Sequence, residues 1–534
     1  HENSYQGLKH TTGKNNNGKA GVSVNFSNDY LFENILNYDR NFNQKHHVDG
    51  TLMQSVNVIQ WKNIGLNGTG FPNDDLSYNA IGSSTEFGMP TWELSDRRIL
   101  SYLGRVRYHL LDRYMFTAAI RVDGSSVFGA NNKYGYFPSG AFAWRLSEEP
   151  FMKNADWLNN LKFRLSYGQV GNQGISPYTT LGLTDKYYTE FGSVMKIGYL
   201  PGSDLSNPNL KWETSTSGNI GLDYGLFDGK IQGSFELYDT QTTDLLVYRS
   251  LSQTSGYSSQ LVNLGHVQNR GIEATLSVTP IEKKDFSWTM NLTFYTNENT
   301  IKKIDGMLDE SGKPKDDVNN KWFIGQPMNV YYDYVFDGIW QTSDDVANSH
   351  MPNAKPGSIK IKNVLEDDKI TIDDRVIMER DPEWIGTFGT SFKYKNFDLT
   401  ADLYYSHGGI MHNTYLTTFD TGGDLTGKRN GIKRNYWTAD NPSNDAPAPN
   451  MMQAPAYINS LGYQDASYIR LRNVSFGYQI PKSIVGKIGA DQVRIYSTLT
   501  NFWTKTDIQA YGPEQDPGDY PEPRTALIGL NVTF

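Results

Sequence analysis

The 534-residue sequence contains no cysteine, which excludes disulfide bonds, thiolate catalysis and cysteine-ligated zinc. No stretch approaches about 18 consecutive apolar residues, so the sequence predicts no transmembrane helix. Positive charge is also scarce: 49 Lys and Arg against 58 Asp and Glu give a net charge of −9. This balance argues against nucleic acid and against a polybasic membrane anchor. A β-barrel is still compatible with these absences, because its strands need only about ten residues of alternating hydrophobicity.

The sequence is instead rich in aromatic residues and glycine, with 34 Tyr, 25 Phe, 11 Trp and 50 Gly. Together with a mean hydropathy of −0.56, this composition is typical of strands with one apolar and one wet face, and it contradicts disorder. The last eleven residues, RTALIGLNVTF, show the pattern directly. Ala526, Ile528, Leu530, Val532 and Phe534 occupy every second position, and we expect them to face lipid, with Asn531 and Thr533 facing a lumen.

The same alternation predicts about 15 strands, many of them longer than the usual five or six residues of globular proteins. A weaker sixteenth strand is predicted at 19–27. The predicted strands lie near 29–41, 46–61, 95–110, 114–128, 134–147, 159–171, 213–226, 230–247, 262–280, 286–301, 384–395, 397–409, 466–481, 491–506 and 524–534.

Short and long links alternate between these strands, with one exception at 129–133. One-sided long links are typical of outer-membrane barrels, in which short turns are periplasmic and long loops extracellular. The pattern predicts an all-β, transmembrane antiparallel β-barrel over 1–534 with a periplasmic C-terminus. The alternative is a large soluble β-protein, such as a propeller or a tandem of sandwiches. No repeat of about 40–50 residues is present, and loops as long as 302–383 fit a sandwich poorly. The predicted long loops lie near 62–94, 172–212, 248–261, 302–383, 410–465 and 507–523.

Six ordered stretches carry a family resemblance, which runs from about residue 30 to Phe534. They are SYLGRVRYHLLDRYMFTAAIRVDGSSVFG (101–129), YFPSGAFAWRLSEEPF (136–151), LKFRLSYGQVGNQGISPY (161–178), NRGIEATLSVTP (269–280), FDLTADLYYSHGG (397–409) and YIRLRNVSFGYQIP (468–481). In this order they resemble the C-terminal half of SusC-like (SusC/RagA family), TonB-dependent outer-membrane transporters of Bacteroidetes.

The resemblance implies a barrel of 22 strands, an N-terminal plug domain, and energy supplied through TonB. It also implies a SusD-like surface lipoprotein as a lid and oligosaccharides or peptides as cargo. Nothing in these 534 residues resembles the plug or the first strands, so we expect a C-terminal portion of a longer polypeptide. The expected partners are therefore the rest of the barrel and plug, the TonB complex, SusD-like and further surface lipoproteins, and outer-membrane lipid.

The expected function is active nutrient import without any bond being made or broken. The nine histidines contain no HExxH pair, and the sequence predicts no enzyme and no cofactor. Two alternatives stay open: a scaffold subunit in an outer-membrane assembly complex, and a passive porin. Co-purifying partners distinguish import from scaffolding, and an upstream plug would exclude the porin.

Aromatic residues in the predicted long loops are the candidates for cargo contact. Flat rings stack on sugar faces or peptide side chains, although such rings also pack loops against one another. The candidates are Trp212, Tyr257, Trp322, Trp340, Tyr436, Trp437 and Tyr463.

The stretch NVLEDDKITIDDR (363–375) is an incomplete match to a calcium-binding loop. Its candidate ligands are Asn363, Asp367, Thr371 and Asp374, at positions one, five, nine and twelve. Leu365 replaces an oxygen ligand at position three, and Asp368 replaces the glycine needed at position six. The alternative is an acidic hairpin without metal.

Overall fold

In a computed structural model the chain folds predominantly as β-structure, with 58% of residues in strands. No helix in the described residues has the length and apolar character needed to span a membrane. Parts of the predicted links 172–212, 302–383, 410–465 and 507–523 lie outside the described residues. The structure describes residues 1–192, 194–304, 308–419, 435–449, 456–515 and 519–534.

The strands up to residue 263 include two long hairpin pairs and several short strands within the links. They are β1 (Glu2–Gln6), β2 (Lys19–Phe42), β3 (His46–Thr69), β4 (Glu86–Phe87), β5 (Thr91–Leu110), β6 (Tyr114–Ser125), β7 (Tyr134–Arg145), β8 (Leu158–Asn172), β9 (Thr184–Phe191), β10 (Val194–Pro201), β11 (Asp204–Leu205), β12 (Glu213–Leu226), β13 (Ile231–Thr243), β14 (Leu246–Ser250) and β15 (Ser259–Asn263).

The remaining strands follow the same plan. They are β16 (His266–Lys283), β17 (Phe286–Lys303), β18 (Val330–Asp333), β19 (Phe336–Ile339), β20 (Ile359–Ile361), β21 (Val376–Glu379), β22 (Trp384–Tyr394), β23 (Phe397–His407), β24 (Ile410–His412), β25 (Tyr463–Asp465), β26 (Tyr468–Ile480), β27 (Gln492–Thr506) and β28 (Thr525–Thr533).

The helical segments in the described residues are all short. The two α-helices are α1 (Thr11–Asn15) and α2 (Lys482–Val485). One π-helical turn covers Tyr415–Phe419. The 3-10 turns are Ser77–Ser83, Leu146–Glu148, Pro150–Met152, Gln253–Ser255, Val346–Asn348, Ile372–Asp374, Ile458–Gly462 and Gly486–Ile488.

Each of the fifteen predicted strands corresponds to observed β-structure, although 230–247 is divided between β13 and β14 and 262–280 between β15 and β16. Two further differences lie near the start. The predicted segments 19–27 and 29–41 form one strand, β2, and β3 continues to Thr69 instead of ending near residue 61. Asn63, Gly65, Asn67 and Gly68 gave residues 62–69 the composition of a loop. Backbone pairing to β2 along this whole segment stabilises the extended conformation despite these residues.

Contacts divide the chain into two units. Unit 1 comprises 1–143, 166–217 and 241–266, and unit 2 comprises 144–165, 218–240 and 267–534. In unit 1, β2 pairs with β3 without interruption from Lys19 opposite Thr69 to Phe42 opposite His46. β3 also pairs with β5, and β5 with β6, all antiparallel. β1 pairs with β2 only along Lys19–Ser23.

Unit 2 contains a second antiparallel series, in which β17, β22, β23, β26, β27 and β28 pair in chain order. Each strand pairs with the next, so short and long links must emerge at opposite strand ends. The link 395–396 is short, and the links 408–467 and 507–524 are long. The last residue of β28 therefore lies at the end of the sheet that carries the short links.

The short links turn tightly because their residues adopt left-handed backbone conformations. Asn43 and Gln44 have φ of 51° and 57°, and Leu111 and Asp112 have φ of 56° and 53°. Two successive residues with positive φ match the right-handed twist of the strands that they join. These turns fix the register of β2 with β3 and of β5 with β6 in unit 1.

The C-terminal strand carries its apolar side chains on an exposed face. Ile528 and Phe534 are 82% and 84% exposed. On the other face, Gly529 lies opposite Tyr496 of β27. A Cβ atom at residue 529 would lie 2.3 Å from Cζ of Tyr496. The tyrosine ring therefore covers the glycine backbone, an arrangement that compensates for the missing side chain.

We predict that Gly529→Val destabilises the folded protein, because the new side chain occupies the position of the Tyr496 ring. Overpacking of this kind typically costs about 1–3 kcal/mol. The measurement is the temperature at which the compact band of the purified protein disappears in SDS–PAGE of samples heated stepwise. Ala526→Val, on the exposed face of the same strand, is the control. Equal unfolding temperatures for the two variants would contradict the proposed Tyr496 packing.

Candidate functional site

The long links of unit 1 pack around their own apolar core. Seven side chains form it: Val127, Phe128, Phe137, Ile175, Leu210, Trp212 and Leu261. Asparagine side chains join neighbouring segments, since Nδ2 of Asn132 donates to the carbonyl of Asn209 at 2.8 Å and Nδ2 of Asn263 donates to that of Lys211 at 2.8 Å. These links are therefore ordered by packing and hydrogen bonds.

The long links of unit 2 have a second core. Ile339, Ile359, Ile361, Trp437 and Leu461 are buried together. The antiparallel pair of β19 and β20 contributes Ile339, Ile359 and Ile361 to this core, and β18 pairs with β21 in the same link. The sequence predicted only a loop at 302–383, because strands of three or four residues are too short to show an alternating pattern.

The predicted cargo-binding aromatics fall into a buried and a half-buried group. Trp212, Trp340 and Trp437 are only 6%, 4% and 8% exposed. Nε1 of Trp212 donates to the carbonyl of Lys133 at 3.0 Å, and Nε1 of Trp437 donates to Oε1 of Gln341 at 2.8 Å. These three rings stabilise the loops. Their contact with cargo stays a prediction, as does that of the half-buried Tyr257, Trp322, Tyr436 and Tyr463.

Tyr463 belongs to an aromatic group that the sequence did not reveal. Its hydroxyl donates to Oδ2 of Asp333 at 2.9 Å. Its ring lies 5.2 Å from that of Tyr331 and 4.7 Å from that of His412, measured between centroids. Burial, together with the Asp333 carboxylate, raises the pKa of the Tyr463 hydroxyl. Burial also lowers the pKa of His412, so both groups are neutral at pH 7.

A cleft of about 880 Å³ opens beside the unit 2 core. We call it the proline-rich cleft, because Pro352, Pro356, Pro447 and Pro449 contribute to its walls. Its lining comes from the segments 350–359, 369–370, 447–449 and 456–457. The volume lies within the range of about 300–1,000 Å³ that is usual for small-molecule sites.

The predicted calcium loop is organised around Asp374, whose side chain is fully buried. Its Oδ1 accepts from the backbone N–H groups of Val364 and Leu365 at 2.9 and 3.3 Å. Its Oδ2 accepts from the N–H of Thr371 at 2.7 Å. Both carboxylate oxygens therefore receive hydrogen bonds from the loop itself.

The other predicted calcium ligands also contact backbone. Oδ1 of Asn363 accepts from the N–H of Asp367 at 3.3 Å, and Oδ1 of Asp367 accepts from that of Lys369 at 3.1 Å. Within the described residues, no group of three or more His, Asp or Glu side chains is arranged to hold a metal ion. Calcium binding by Asn363, Asp367, Thr371 and Asp374 stays a prediction.

Burial by itself raises the pKa of the Asp374 carboxyl group. The backbone N–H groups of Thr371, Leu365 and Val364 outweigh burial and hold that pKa below its ordinary value of 3.8. A lowered pKa in the folded state means that ionised Asp374 stabilises the loop at neutral pH. That contribution is lost as the pH falls through the folded-state pKa.

The final long link is tied to β26 by a buried arginine. Arg470 is 4% exposed, and its Nη1 lies 2.5 Å from Oε2 of Glu514 and 2.8 Å from Oε2 of Glu522. Its Nε donates to the hydroxyl of Thr504 at 3.1 Å. The guanidinium group of Arg472 lies 3.5 Å from the ring centroid of Tyr404 and also contacts Glu514. These contacts fix the segment before β28.

Sequence reasoning missed the proline-rich cleft, the Tyr331–His412–Tyr463 group and the Arg470 ion pairs. The paired prolines at 352 and 356 and at 447 and 449 were a signal for rigid loop walls. No sequence signal could join them, because the two segments are about 90 residues apart. No sequence signal joins Arg470 to Glu514 and Glu522 either, because these residues are also far apart in the sequence.

We predict that Asp374→Asn loosens the 363–375 loop, because the amide loses the charge and one acceptor oxygen. Hydrogen bonds to a charged group are worth about 1.5–3 kcal/mol. Amide hydrogen exchange at Val364, Leu365 and Thr371 should therefore be roughly 10- to 100-fold faster. Acidification below the folded-state pKa of Asp374 should have the same effect in the unaltered protein.

The control is Asp373→Asn, which changes an exposed neighbouring carboxylate. Unchanged exchange in the Asp374 variant, or an equal change in both variants, would show that Asp374 does not organise the loop. Repeating the measurement with calcium and with a chelator tests the calcium prediction. Greater protection with calcium would support it.

Known proteins are similar to this chain along nearly its whole length. A family model described as TonB dependent receptor-like, beta-barrel matches residues 1–502. TonB-dependent receptor P3 of Formosa agariphila is 32% identical over 97% of this chain and 53% of its own length. TonB-dependent receptor SusC of Bacteroides thetaiotaomicron is 30% identical over 82% of this chain and 44% of its own length. The chain thus spans about half the length of these curated relatives.

Among solved structures, that of the RagAB peptide transporter matches with a TM-score of 0.82 and 24% identity. The match covers 97% of this chain and 56% of the other, and it shows a common fold. The predicted all-β barrel class and the resemblance to SusC-like proteins are confirmed. The family comprises receptors and transporters, not enzymes. By its match over residues 1–502, this chain belongs to the family of TonB-dependent receptor-like outer-membrane β-barrels.

Proposed function

We propose that this protein is the SusC-like subunit of a complex that imports oligosaccharides or oligopeptides across the outer membrane. The observation that carries the proposal is the identity of 30–32% to TonB-dependent receptors, SusC among them, along 82–97% of the chain. TonB supplies energy, and a SusD-like lipoprotein closes over the long loops. The RagAB structure, described as a peptide transporter, supports peptides as one cargo class.

The ordered loops support this function physically. Import requires cargo to bind before it crosses the membrane, and a preformed binding surface loses less conformational entropy on binding. The cores around Trp212 and Trp437 hold the long links in one arrangement within each unit. Half-buried rings such as Tyr257, Tyr436 and Tyr463 then supply stacking surfaces.

The proposal also assigns the orientation of the chain in the membrane and the need for further strands that complete the barrel. The long links are extracellular, the short links are periplasmic, and the C-terminus is therefore periplasmic. Within the described residues of unit 1, the edge of β2 that faces away from β3 is paired along Lys19–Ser23 alone. Unpaired backbone is costly in lipid, so further barrel strands cover the rest of this edge.

Native mass spectrometry of the complex purified from the source bacterium tests the proposal. We expect a SusD-like lipoprotein and a retained oligosaccharide or peptide bound to this chain. Assembly-machinery subunits without bound cargo would favour a scaffold, and cleavage of bound glycan by this chain would contradict transport.

We predict that Tyr257→Ala and Tyr436→Ala reduce the fraction of complex that retains cargo. The loss of a stacking contact is worth about 0.5–1.5 kcal/mol, or roughly twofold to tenfold in affinity. Tyr394→Ala, next to the short link 395–396, is the matched control. Equal cargo retention in all three variants would show that Tyr257 and Tyr436 do not contact the cargo.

A further inference from the structure

The proline-rich cleft has an uneven charge distribution. Lys355, Lys369 and His350 line it, and among the described residues no Asp or Glu does. In the described part of the chain, neither lysine lies within 4 Å of a carboxylate oxygen. Two lysines without acidic partners at one cleft stand out in a chain whose net charge is −9. The lining therefore favours an anion.

The walls of the cleft are fixed to the unit 2 core. Gly357 has φ of +87°, and a Cβ atom there would lie 2.5 Å from Cε3 of Trp437 and 2.7 Å from Cβ of Ala448. Its N–H donates to the carbonyl of Trp340 at 2.7 Å, and its carbonyl accepts from the N–H of Ala448 at 2.8 Å. These contacts join the 350–359 and 447–449 walls, so the cleft is preformed.

Two further side chains shape the lining. Nε2 of His350 donates to the carbonyl of Ile361 at 2.9 Å, which fixes the imidazole ring. Tyr457 has φ of 61°, a costly left-handed conformation for an aromatic residue, and its ring packs edge-on against Tyr334 at 5.0 Å. Strained residues of this kind concentrate at ligand sites. Tyr457 and the prolines provide apolar surface beside the positive charge.

We propose that the proline-rich cleft binds the carboxylate group of an acidic oligomer, with Lys355 and Lys369 as the cationic contacts. The apolar body of the oligomer lies against Tyr457 and the prolines. Acidic sugars and acidic peptides share this chemistry. This inference rests on the proposed function, because it names the class of cargo that the importer takes.

The test is calorimetric titration of the purified transporter complex with three probes: tetragalacturonate, tetraglutamate and uncharged maltotetraose. We expect one or both acidic probes to bind more tightly than maltotetraose. Their affinity should fall in about 0.5 M salt, where the Debye length is only a few ångströms. Tighter binding of tetragalacturonate would identify the ligand as an acidic sugar, and tighter binding of tetraglutamate would identify it as an acidic peptide.

The double variant Lys355→Gln/Lys369→Gln should bind the acidic probe roughly twofold to thirtyfold more weakly, since two exposed ion pairs are lost. Lys362→Gln, an exposed lysine of the same link outside the cleft, should bind like the unaltered protein. Retained heat stability of the double variant separates a lost contact from a lost fold.

The inference is wrong if the acidic probes bind no better than maltotetraose, or if the double variant matches Lys362→Gln. Neither result affects the proposed import function, which fails separately if deletion of the gene leaves oligomer uptake unchanged. If uptake depends on the gene but binding does not depend on the charge of the probe, the anion site is wrong and the import function stands.

Discussion

Uninterrupted antiparallel backbone pairing is the constraint on which the rest of the structure depends. β2 and β3 pair residue by residue over the full length of both strands, from Lys19 opposite Thr69 to Phe42 opposite His46. In lipid, every backbone N–H and C=O group needs such a partner, because no water replaces it. The tight turns at 43–45 and 111–113 set this pairing, and the long links can then vary in sequence at the opposite strand ends without disturbing it.

The long links depend on the strands for their anchor points but have their own means of stabilisation. In unit 1, Trp212 and Leu210 pack with Phe128, in the link that follows β6. In unit 2, Trp437 packs with Ile359 and Ile361 of β20. Arg470 is buried, whereas Glu514 and Glu522 are partly exposed. Its contacts with the two carboxylates pair a buried charge, which is costly to leave unpaired, and tie the last link to β26. Ordered links of this kind suit a surface that must recognise cargo.

The sequence predicts the long strands well and the links poorly, for a physical reason. A strand of 11–24 residues with two different faces repeats its pattern often enough to be recognised, as residues 272–279 of β16 show. Strands such as β20 (Ile359–Ile361) contain too few residues for any period. Trp340 is buried, and Lys355 and Pro449 line the same cleft, because distant segments of the chain contact each other. No local sequence pattern encodes such contacts. Family membership also followed from ordered motifs, whereas the proposed cargo site is formed by those distant contacts.

The most direct test of the account is energised uptake by living cells. Fluorescently labelled oligomers, acidic and neutral, are offered to the source bacterium with and without a deletion of this gene, and with and without a protonophore. Transport driven through TonB predicts that label accumulates only when both the gene and the proton gradient are present. Equal accumulation in de-energised cells would identify a passive pore, and equal accumulation without the gene would contradict an import function altogether.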